Sequence, residues 1–226
     1  MYKNYFKRLF DIVSSGIALI ALFPIFAYLA YLVKTRLGSP VLFTQVRPGK
    51  DNKLFKMYKF RSMTDERDED GNLLPDDVRL TPFGKRLRES SLDELPELIN
   101  IFKGDMSVVG PRPQLVRDMV FFSDEEMQRQ SVLPGLTGLA QINGRNNISW
   151  EDKFKYDLQY IKNISFLEDM RIIYRTVFKV ARQDDINTDG METAEDYGDY
   201  LLRIGKIGKA EYDSNQSKAN KLINRM

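Results

Sequence analysis

The feature that most constrains this chain is an uncharged, apolar segment close to its N-terminus. Between Asp11 and Lys34 lie 22 residues without a charge, IVSSGIALIALFPIFAYLAYLV, at positions 12–33. As one straight helix they would extend about 33 Å at ~1.5 Å per residue, which is enough to enter or cross a bilayer. A cleaved signal peptide ends in small residues, whereas this segment ends in bulky Tyr, Leu and Val before a lysine. We interpret it as a retained membrane anchor.

A proline inside the segment and cations on both of its flanks predict its path. Pro24 removes a helical hydrogen bond and clashes with the carbonyl four residues earlier, so we expect a kink at 21–24. The positive-inside rule keeps cationic flanks cytoplasmic, and both flanks obey it only if the helix bends and returns. The sequence therefore favours a re-entrant membrane helix, with a single span as the alternative. The residues expected at the bend or at the membrane surface are Pro24, Lys7 and Arg8, with Lys3, Lys34 and Arg36 completing the flanks.

The residue types that are absent restrict the chemistry. The 226 residues include no His and no Cys, which excludes a Ser-His-Asp triad, a thiol nucleophile and a His or Cys metal site. Catalysis must then use carboxylates, lysine, arginine, tyrosine, hydroxyl groups or a hard metal held by oxygen. The net charge of +2 lacks the basic excess of a dedicated nucleic-acid binder, so we expect no nucleic-acid partner.

Local sequence patterns predict the elements of the remaining chain. A Pro-Gly-containing link at 47–52 separates two β-prone runs and predicts a hairpin over 41–63. Two stretches rich in Gly and Pro, 104–113 and 134–145, are expected to be ordered loops. Helical patterns, the first interrupted near Pro96 and the third capped by Ser149, lie at 83–102, 124–130, 150–161 and 167–182.

These patterns predict an α+β, mostly helical fold in three parts. Residues 1–36 form the kinked re-entrant membrane helix with its basic flanks. Residues 37–183 form the main domain, in which a short β-hairpin, helices and Gly/Pro-rich loops lie at the membrane face. Residues 184–226 form a C-terminal extension, acidic up to residue 199 and basic after it. We expect the polar end of this extension to be a loose helix or a frayed tail.

The candidate chemistry lies in the run SSLDELPEL at 90–98. Ser91 and Glu94 have the spacing of a capping box, so one interpretation is a helix start whose acids complement the helix dipole. The functional interpretation uses the same geometry, because the dipole would keep Asp93 ionised and free N–H groups would donate hydrogen bonds to a phosphate oxygen. An ionised Asp beside a Glu also suits a hard metal that bridges to substrate phosphates. The two interpretations are compatible.

Several cations surround this run in the sequence. Most Arg and Lys side chains are solvated surface groups, and this applies to Lys59 and Arg88 when each is taken alone. Arg112 and Arg145 differ because they lie in Gly/Pro-rich loops, where a rigid backbone holds a guanidinium in the fork geometry that suits phosphate. The residues therefore point to a diphosphate substrate.

At this point three runs carry a resemblance to a known family. They are KFRSMTDERDEDGNLLPDD (59–77), SLDELPELINIFKGDMSVVGPRP (91–113) and PGLTGLAQINGRNNISW (134–150), behind an apolar segment with a central proline. Together they resemble the bacterial sugar transferase family, the monotopic phosphoglycosyl transferases. Within that family the chain is most similar to the small PglC-type enzymes of bacterial protein glycosylation. The resemblance covers residues 5–200.

The resemblance implies a location and a reaction. It implies a re-entrant helix in the bacterial inner membrane, in contact with membrane lipids, and a catalytic phosphoglycosyl transferase domain at the cytoplasmic face. The implied reaction is Mg²⁺-dependent transfer of a sugar 1-phosphate from a UDP-sugar to polyprenyl (undecaprenyl) phosphate, with release of UMP. It would be the first membrane step of glycoconjugate assembly. The PglC-type similarity implies that the sugar is N-acetylated.

The resemblance also implies roles for individual residues. Asp93 matches the nucleophile, which carries the phosphosugar covalently, and Glu94 matches its acidic partner, the two acids being the expected metal site. Many relatives have Ser-Pro in the membrane helix where this chain has Phe23-Pro24, so Pro24 must break the helix without help from a hydroxyl. The positions that match phosphate-binding or site-organising residues are Lys59, Arg88, Arg112 and Arg145.

Two hypotheses of other classes remain open at the level of the sequence. One is a membrane-anchored module that binds a nucleotide-sugar or an anionic lipid without turnover. The other is a scaffold in which the acidic and basic parts of the C-terminal extension pair between protomers.

Overall fold

Helices make up most of the described chain, with two small sheets of two strands each among them. The computed structural model describes residues 2–144, 148–182 and 195–226. Within these ranges the α-helices are α1 (Lys7–Ala21), α2 (Phe23–Leu37), α3 (Asp76–Arg79), α4 (Pro82–Glu89), α5 (Glu97–Lys103), α6 (Val116–Met119), α7 (Asp124–Met127), α8 (Leu139–Ile142), α9 (Trp150–Lys162), α10 (Phe166–Arg182), α11 (Tyr197–Arg203) and α12 (Lys209–Asn224). The strands are β1 (Leu42–Pro48), β2 (Leu54–Phe60), β3 (Ser107–Val109) and β4 (Gly135–Thr137). The predicted α+β, mostly helical class is confirmed.

The apolar N-terminal segment forms two helices rather than one. α1 ends at Ala21 and α2 begins at Phe23, and the pair is bent by 64°. Pro24 lies in the first turn of α2, where its missing N–H group would have no helical partner in any case. The predicted kink is therefore confirmed. In the described ranges no single helix is long and apolar enough to cross a membrane. Taken together, the two helices of the bent pair reach that length and apolar composition.

Both halves of the bent pair are fixed to the rest of the protein. In α1, the carboxylate of Asp11 accepts hydrogen bonds from the Ser107 hydroxyl at 3.0 Å and from the Val108 backbone N–H at 2.9 Å. In α2, Val33 is completely buried in a cluster that includes Phe60 of β2. The large apolar side chains that stay exposed on the pair include Leu9, Val13, Ile17, Ile20, Phe23, Tyr28 and Tyr31.

The predicted hairpin and the longer predicted helices are confirmed. β1 and β2 pair antiparallel, with Leu42 opposite Phe60, and a 3-10 turn at Lys50–Asn52 joins them. The helical pattern at 83–102 becomes α4 and α5, interrupted before Pro96 as expected. The patterns at 150–161 and 167–182 become α9 and α10, and the Ser149 hydroxyl caps α9 by accepting the N–H of its third residue.

The two Gly/Pro-rich stretches contain strands that the sequence did not predict. β3 lies in the first stretch and β4 in the second, and they pair in parallel with Ser107 opposite Gly135 and Val109 opposite Thr137. A Cβ atom on Gly135 would collide with the backbone of Gly110, so a glycine is required for this close approach. Strands of three residues are too short for an alternating pattern, which explains why the sequence indicates only loops here.

The C-terminal extension is folded over the residues that the structure describes, so the frayed tail that was one of the two expectations is wrong. α11 packs Tyr197 against Trp150 of α9, with their rings 4.9 Å apart. α12 buries Ala219 completely against a cluster that includes Val116 of α6. The other expectation, a loose helix, is correct about the helix, but this buried contact shows that α12 is packed. Much of the predicted acidic run falls at 183–194, outside the described residues.

Candidate active site

A cleft of about 1630 Å³ gathers most of the residues that the sequence singled out. Its walls come from the end of β2, the turn between α4 and α5, and the loop after β3. The structure brings together Lys59, Arg88, Asp93, Glu94 and Arg112 at this cleft. The remaining predicted phosphate-binding residue, Arg145, lies outside the described residues.

A tight turn places the two acids. Ser91 adopts a left-handed conformation with a φ of 56°, which is uncommon for a residue with a side chain. The chain then forms a 3-10 turn at Leu92–Glu94, and α5 starts only at Glu97. The expected capping box is wrong, because the Ser91 side chain makes no capping hydrogen bond and the Glu94 carboxylate is engaged elsewhere.

Glu94 holds two cations with a single oxygen. Its Oε1 accepts hydrogen bonds from Lys59 Nζ at 2.7 Å and from Arg112 Nη2 at 2.6 Å. Burial alone would raise the pKa of Glu94, but Arg112 and Lys59 outweigh it and keep that pKa well below its usual range. Glu94 is therefore an anion that fixes the positions of both cations.

Asp93 has a different environment from its neighbour. Its side chain is 8% exposed and makes no hydrogen bond or ion pair within the part of the chain that the structure describes. Burial and the charge of Glu94 raise the pKa of Asp93 to about 6, against the attraction of Lys59, Arg88 and Arg112. The expectation that a helix dipole favours the ionised form is wrong, because a three-residue 3-10 turn has little dipole to offer. Asp93 is an unbonded carboxylate that is mostly ionised at neutral pH.

A third carboxylate, Glu97, was missed by the sequence analysis. It is almost completely buried, and its Oε1 lies 3.3 Å from Lys59 Nζ without the geometry of a hydrogen bond. Burial raises the pKa of Glu97 to about 7, although Lys59 opposes the shift. The sequence signal for Glu97 was its position three residues after Glu94 in the same motif. Pro96, which lies between the two acids, made it difficult to predict that they share one site.

Neighbouring side chains position the two arginines of the cleft. Arg88 Nε donates to the Ser62 hydroxyl at 2.9 Å. The backbone carbonyl of Arg112 accepts a hydrogen bond from Arg129 Nη2 at 2.8 Å, and Arg129 forms a buried ion pair with Asp157 at 2.6 Å. The loop that carries Arg112 is thus tied to α9. Nothing in the local sequence marked Arg129 and Asp157, which lie 28 residues apart.

The donor set fits a magnesium ion only in part. Among the described residues no group of three or more Asp or Glu side chains could hold a metal. Mg²⁺ is often bound by one or two carboxylates together with substrate phosphates, and the free carboxylate of Asp93 suits that arrangement. Oε1 of Glu94 is already occupied by Lys59 and Arg112. A metal role for the two acids stays a prediction.

The cations expected at the membrane surface make contacts inside the protein. Lys7 Nζ pairs with Asp169 of α10 at 2.6 Å, and its side chain is mostly buried. Arg8 donates to the carbonyl oxygens of Ile101 at 2.6 Å and Phe102 at 2.8 Å, in the last turn of α5. These contacts fix the start of α1, and the membrane role of Lys7, Arg8 and Pro24 stays a prediction.

The sequence of this chain matches known proteins over most of its length. A family model described as bacterial sugar transferase matches residues 2–183. The chain is 49% identical over 189 residues to the uncharacterized sugar transferase EpsL of Bacillus subtilis (strain 168), covering 84% of this chain and 94% of that protein. It is 36% identical over 188 residues to the exopolysaccharide production protein ExoY of Rhizobium meliloti (strain 1021), covering 76% and 83%.

A larger relative matches over part of its length. The chain is 45% identical over 184 residues to the UDP-glucose:undecaprenyl-phosphate glucose-1-phosphate transferase of Klebsiella pneumoniae, covering 77% of this chain and 40% of that protein. The family match includes β1 to β4, the turn with Asp93 and Glu94, and the helices that surround the cleft. The chain therefore belongs to the bacterial sugar transferase family.

Proposed function

We propose that this chain is a phosphoglycosyl transferase that moves a sugar 1-phosphate from a UDP-sugar to undecaprenyl phosphate. The observation that carries the proposal is the carboxylate of Asp93, which is buried at the cleft, unbonded within the described residues and close to three cations. Two relatives support the reaction class, since they are named as a UDP-glucose:undecaprenyl-phosphate glucose-1-phosphate transferase and an undecaprenyl-phosphate galactose phosphotransferase.

In the first step, an oxygen of Asp93 attacks the β-phosphorus of the UDP-sugar. The bond between that phosphorus and the bridging oxygen breaks, and UMP leaves with the electron pair. Asp93 then carries the sugar phosphate as an acyl phosphate. The positive charges of Lys59, Arg88 and Arg112 neutralise the phosphate oxygens, which is the main contribution a protein makes to phosphoryl transfer.

In the second step, a phosphate oxygen of undecaprenyl phosphate attacks the same phosphorus. The bond to Asp93 breaks, the carboxylate is restored, and the product is an undecaprenyl diphosphate sugar. A covalent intermediate suits this pair of substrates because the soluble donor and the lipid acceptor need not occupy the site together. Glu94 contributes by holding Lys59 and Arg112 beside Asp93 throughout both steps.

Magnesium remains part of the proposal. Asp93, with Glu94 beside it, would hold the ion, and the ion would supply charge neutralisation to the diphosphate of the donor.

We also propose that the bent pair of α1 and α2 is re-entrant and enters the cytoplasmic face of the bacterial inner membrane. Asp11 of α1 bonds to β3, and Val33 of α2 packs in a cluster with residues of β2 and α4. A segment that crossed the bilayer once would have its two ends on opposite sides, so contacts of both helices with the folded protein support the re-entrant path. Exposed apolar side chains such as Ile20 and Phe23 lie on either side of the bend, where they would contact lipid.

The sugar and the pathway are the least determined parts of the proposal. The N-acetylated sugar implied by the sequence has no counterpart in the names of the relatives, which specify glucose and galactose. Three relatives are named as exopolysaccharide production proteins, whereas the sequence resemblance implies protein glycosylation. We therefore propose a UDP-hexose donor and a role in glycoconjugate assembly. Measuring UMP release with UDP-glucose, UDP-galactose and UDP-N-acetylglucosamine in turn identifies the sugar.

The decisive experiment follows the label of a UDP-sugar labelled in its β-phosphate. Without acceptor, label should become bound to the wild-type protein with release of UMP, and undecaprenyl phosphate should then remove it. Asp93→Asn should retain no label and show no turnover, because an amide cannot form the acyl phosphate. Asp213→Asn, at an exposed acid of α12, is the matched control and should behave as wild type.

Two other results would overturn this mechanism. An active enzyme that never retains label, and whose kinetics require both substrates at once, would show direct transfer. A chain that binds UDP-sugar but never releases UMP would be a binding module rather than an enzyme.

A further inference from the structure

Several cations that line the same cleft have no part in the proposed chemistry, and Arg47 and Lys153 are two of them. Arg47 lies at the end of β1 and Lys153 in the first turn of α9, and both line the cleft. Neither was singled out by the sequence. Within the described residues, neither side chain forms an ion pair with a carboxylate. Two such charges in one cleft require an explanation.

Arg47 is aimed by neutral partners. Its Nη1 donates to the carbonyl oxygen of Pro113 at 3.1 Å, and its Nη2 donates to Gln45 Oε1 at 2.6 Å. Its Nε is buried and has no hydrogen-bond partner. Burial and the nearby charge of Arg112 lower the pKa of Arg47 to about 10, so the guanidinium is still charged at neutral pH. Because Pro113 directly follows Arg112, this hydrogen bond holds the guanidinium of Arg47 near the backbone of Arg112.

Lys153 is aimed by an aromatic ring. Its Nζ lies 4.6 Å from the centroid of Trp150, and the indole N–H of Trp150 donates to the carbonyl of Glu195 at 3.2 Å. The Trp150 ring also contacts Tyr197 of α11. Burial lowers the pKa of Lys153, and the charge of Arg112 acts in the same direction. A fixed ring thus holds the ammonium group in the cleft.

The acids near these two cations are committed to other partners. Asp118 accepts hydrogen bonds from the backbone N–H groups of Tyr197 at 2.8 Å and Leu115 at 3.2 Å. Asp157 pairs with Arg129 at 2.6 Å, and Asp196 pairs with Arg117 at 2.7 Å. Among the described residues Asp118 has no cationic partner and acts electrostatically on both Arg47 and Lys153, but it forms an ion pair with neither. Arg47, Lys153 and Arg112 outnumber it, so this wall keeps a positive charge that suits an anionic ligand.

We propose that Arg47 and Lys153 form a second phosphate subsite, which holds the α-phosphate of the nucleotide donor and of the UMP that leaves. The proposal rests on the proposed function, since it assumes a UDP-sugar whose β-phosphate lies at Asp93. Both cations interact electrostatically with Arg112, whose guanidinium also interacts with Asp93. Arg47 also bonds to the carbonyl of Pro113, the residue after Arg112, and all of these residues line one cleft, so Arg112 is a neighbour of both the Asp93 site and the proposed subsite.

The position of the subsite favours the soluble donor over the lipid acceptor. Tyr160, near the other end of α9, bonds to Asp169, which pairs with Lys7 at the start of α1. Lys153 lies seven residues earlier, about 10 Å away along the helix axis at ~1.5 Å per residue. Lys153 thus lies on the side of the cleft lined by residues of α6 and α9, at the end of α9 that is remote from the contact with α1.

The test measures binding of UDP, UMP and uridine to the full chain in detergent by calorimetry. Lys153→Met keeps the length of the side chain but removes its charge, and should weaken UMP and UDP about tenfold or more, as expected for loss of one hydrogen bond to a charged group. Uridine, which has no phosphate, should bind the variant and the wild type equally. Lys153→Arg should restore most of the affinity, and Lys155→Met, an exposed position of the same helix, should change nothing.

Steady-state kinetics provide the second measurement. Lys153→Met should raise the KM for the UDP-sugar and leave the KM for undecaprenyl phosphate unchanged, and Arg47→Gln should act in the same direction. The proposal is overturned if Lys153→Met binds UMP as tightly as the wild type, or if only the KM for the lipid acceptor rises. If the proposed function is wrong, the result is different: UDP binds, but there is no turnover or no label on Asp93. The comparison of UDP and UMP binding between the wild type and Lys153→Met by calorimetry is still valid in that case.

Discussion

At the scale of single residues, adjacent acids of the same turn have opposite electrostatic environments. Glu94 is neutralised by Lys59 and Arg112 through direct hydrogen bonds. Asp93 has no such bond among the described residues, and burial together with the charge of Glu94 raises its pKa to about 6. One acid therefore fixes the cations and the other is left free to react. This division of roles follows from side-chain direction, since the two residues have the same backbone environment.

The raised pKa of Asp93 predicts that removing this charge stabilises the protein. The folded state binds the proton of Asp93 more tightly than the unfolded chain, whose pKa is near 3.8. The contribution of Asp93 to the free energy of unfolding is therefore fully present below pH ~4, where the group is protonated in both states, and is lost as the pH rises through about 6. At pH 7.5, Asp93→Asn should raise the free energy of unfolding by about 2–3 kcal/mol while it abolishes turnover.

Thermal unfolding measured at pH 7.5 and at pH 4.5 checks this prediction. The variant should melt several degrees above the wild type at the higher pH, and the difference should shrink at the lower pH. Asp213→Asn, at an exposed site, should change the melting temperature very little. A variant that is less stable than the wild type at pH 7.5 would contradict the prediction.

At the scale of elements, both helices of the bent pair α1 and α2 are attached to the rest of the protein. Lys7, Arg8 and Asp11 bond to α10, α5 and β3, respectively, and Val33 packs against β2 and α4. Polar and buried contacts thus lie at the two ends, while exposed apolar residues flank the bend. The arrangement favours entry into one leaflet and return.

Labelling of single cysteines tests this topology, because the natural chain contains no cysteine. Lys3→Cys and Thr35→Cys, both at exposed positions, should react with a membrane-impermeant maleimide only from the cytoplasmic side. Ile20→Cys, near the bend, should be protected from both sides by lipid. If Lys3→Cys reacts from outside while Thr35→Cys reacts from inside, the pair crosses the membrane and the re-entrant topology is excluded.

At the scale of the whole molecule, the C-terminal helices pack behind one side of the cleft. The family match ends at residue 183, and α11 and α12 lie beyond it. α12 packs on α6, which carries Asp118, and Asp118 accepts the backbone N–H of Tyr197 in α11. The extension therefore supports the wall on which Trp150 and Lys153 lie.

A buried alanine in α12 tests this support. Ala219→Glu places a charge in a completely buried position and should destabilise the protein by about 2–4 kcal/mol, with a raised KM for the UDP-sugar. Asn220→Glu introduces the same charge at the next, exposed residue and should be nearly neutral. Thermal unfolding and donor kinetics provide the measurements. If Ala219→Glu changes only the oligomeric state, the extension is an assembly element, as in the scaffold hypothesis.

What the sequence determined by itself is mainly local in origin. The kink at Pro24 follows from the chemistry of one residue, and the hairpin and the longer helices follow from turn residues and apolar periodicity. Asp93, Glu94 and Arg112 were recognisable because acids in one short motif and an arginine in a Gly/Pro-rich loop are unusual local combinations, whereas Lys59 and Arg88 were assigned only through the family resemblance. Each of these signals lies within a few consecutive residues.

What only the tertiary structure decided depends on groups that are far apart in the chain. Glu94 bonds to Lys59 and Arg112, 35 and 18 residues away, and Lys7 pairs with Asp169, 162 residues away. The sequence therefore predicted a capping box where Glu94 in fact binds Lys59 and Arg112, and it predicted loops where β3 pairs with β4. Charge interactions and desolvation depend on distances in space, and these are set by packing, so no local pattern encodes the pKa of Asp93 or the docking of α12.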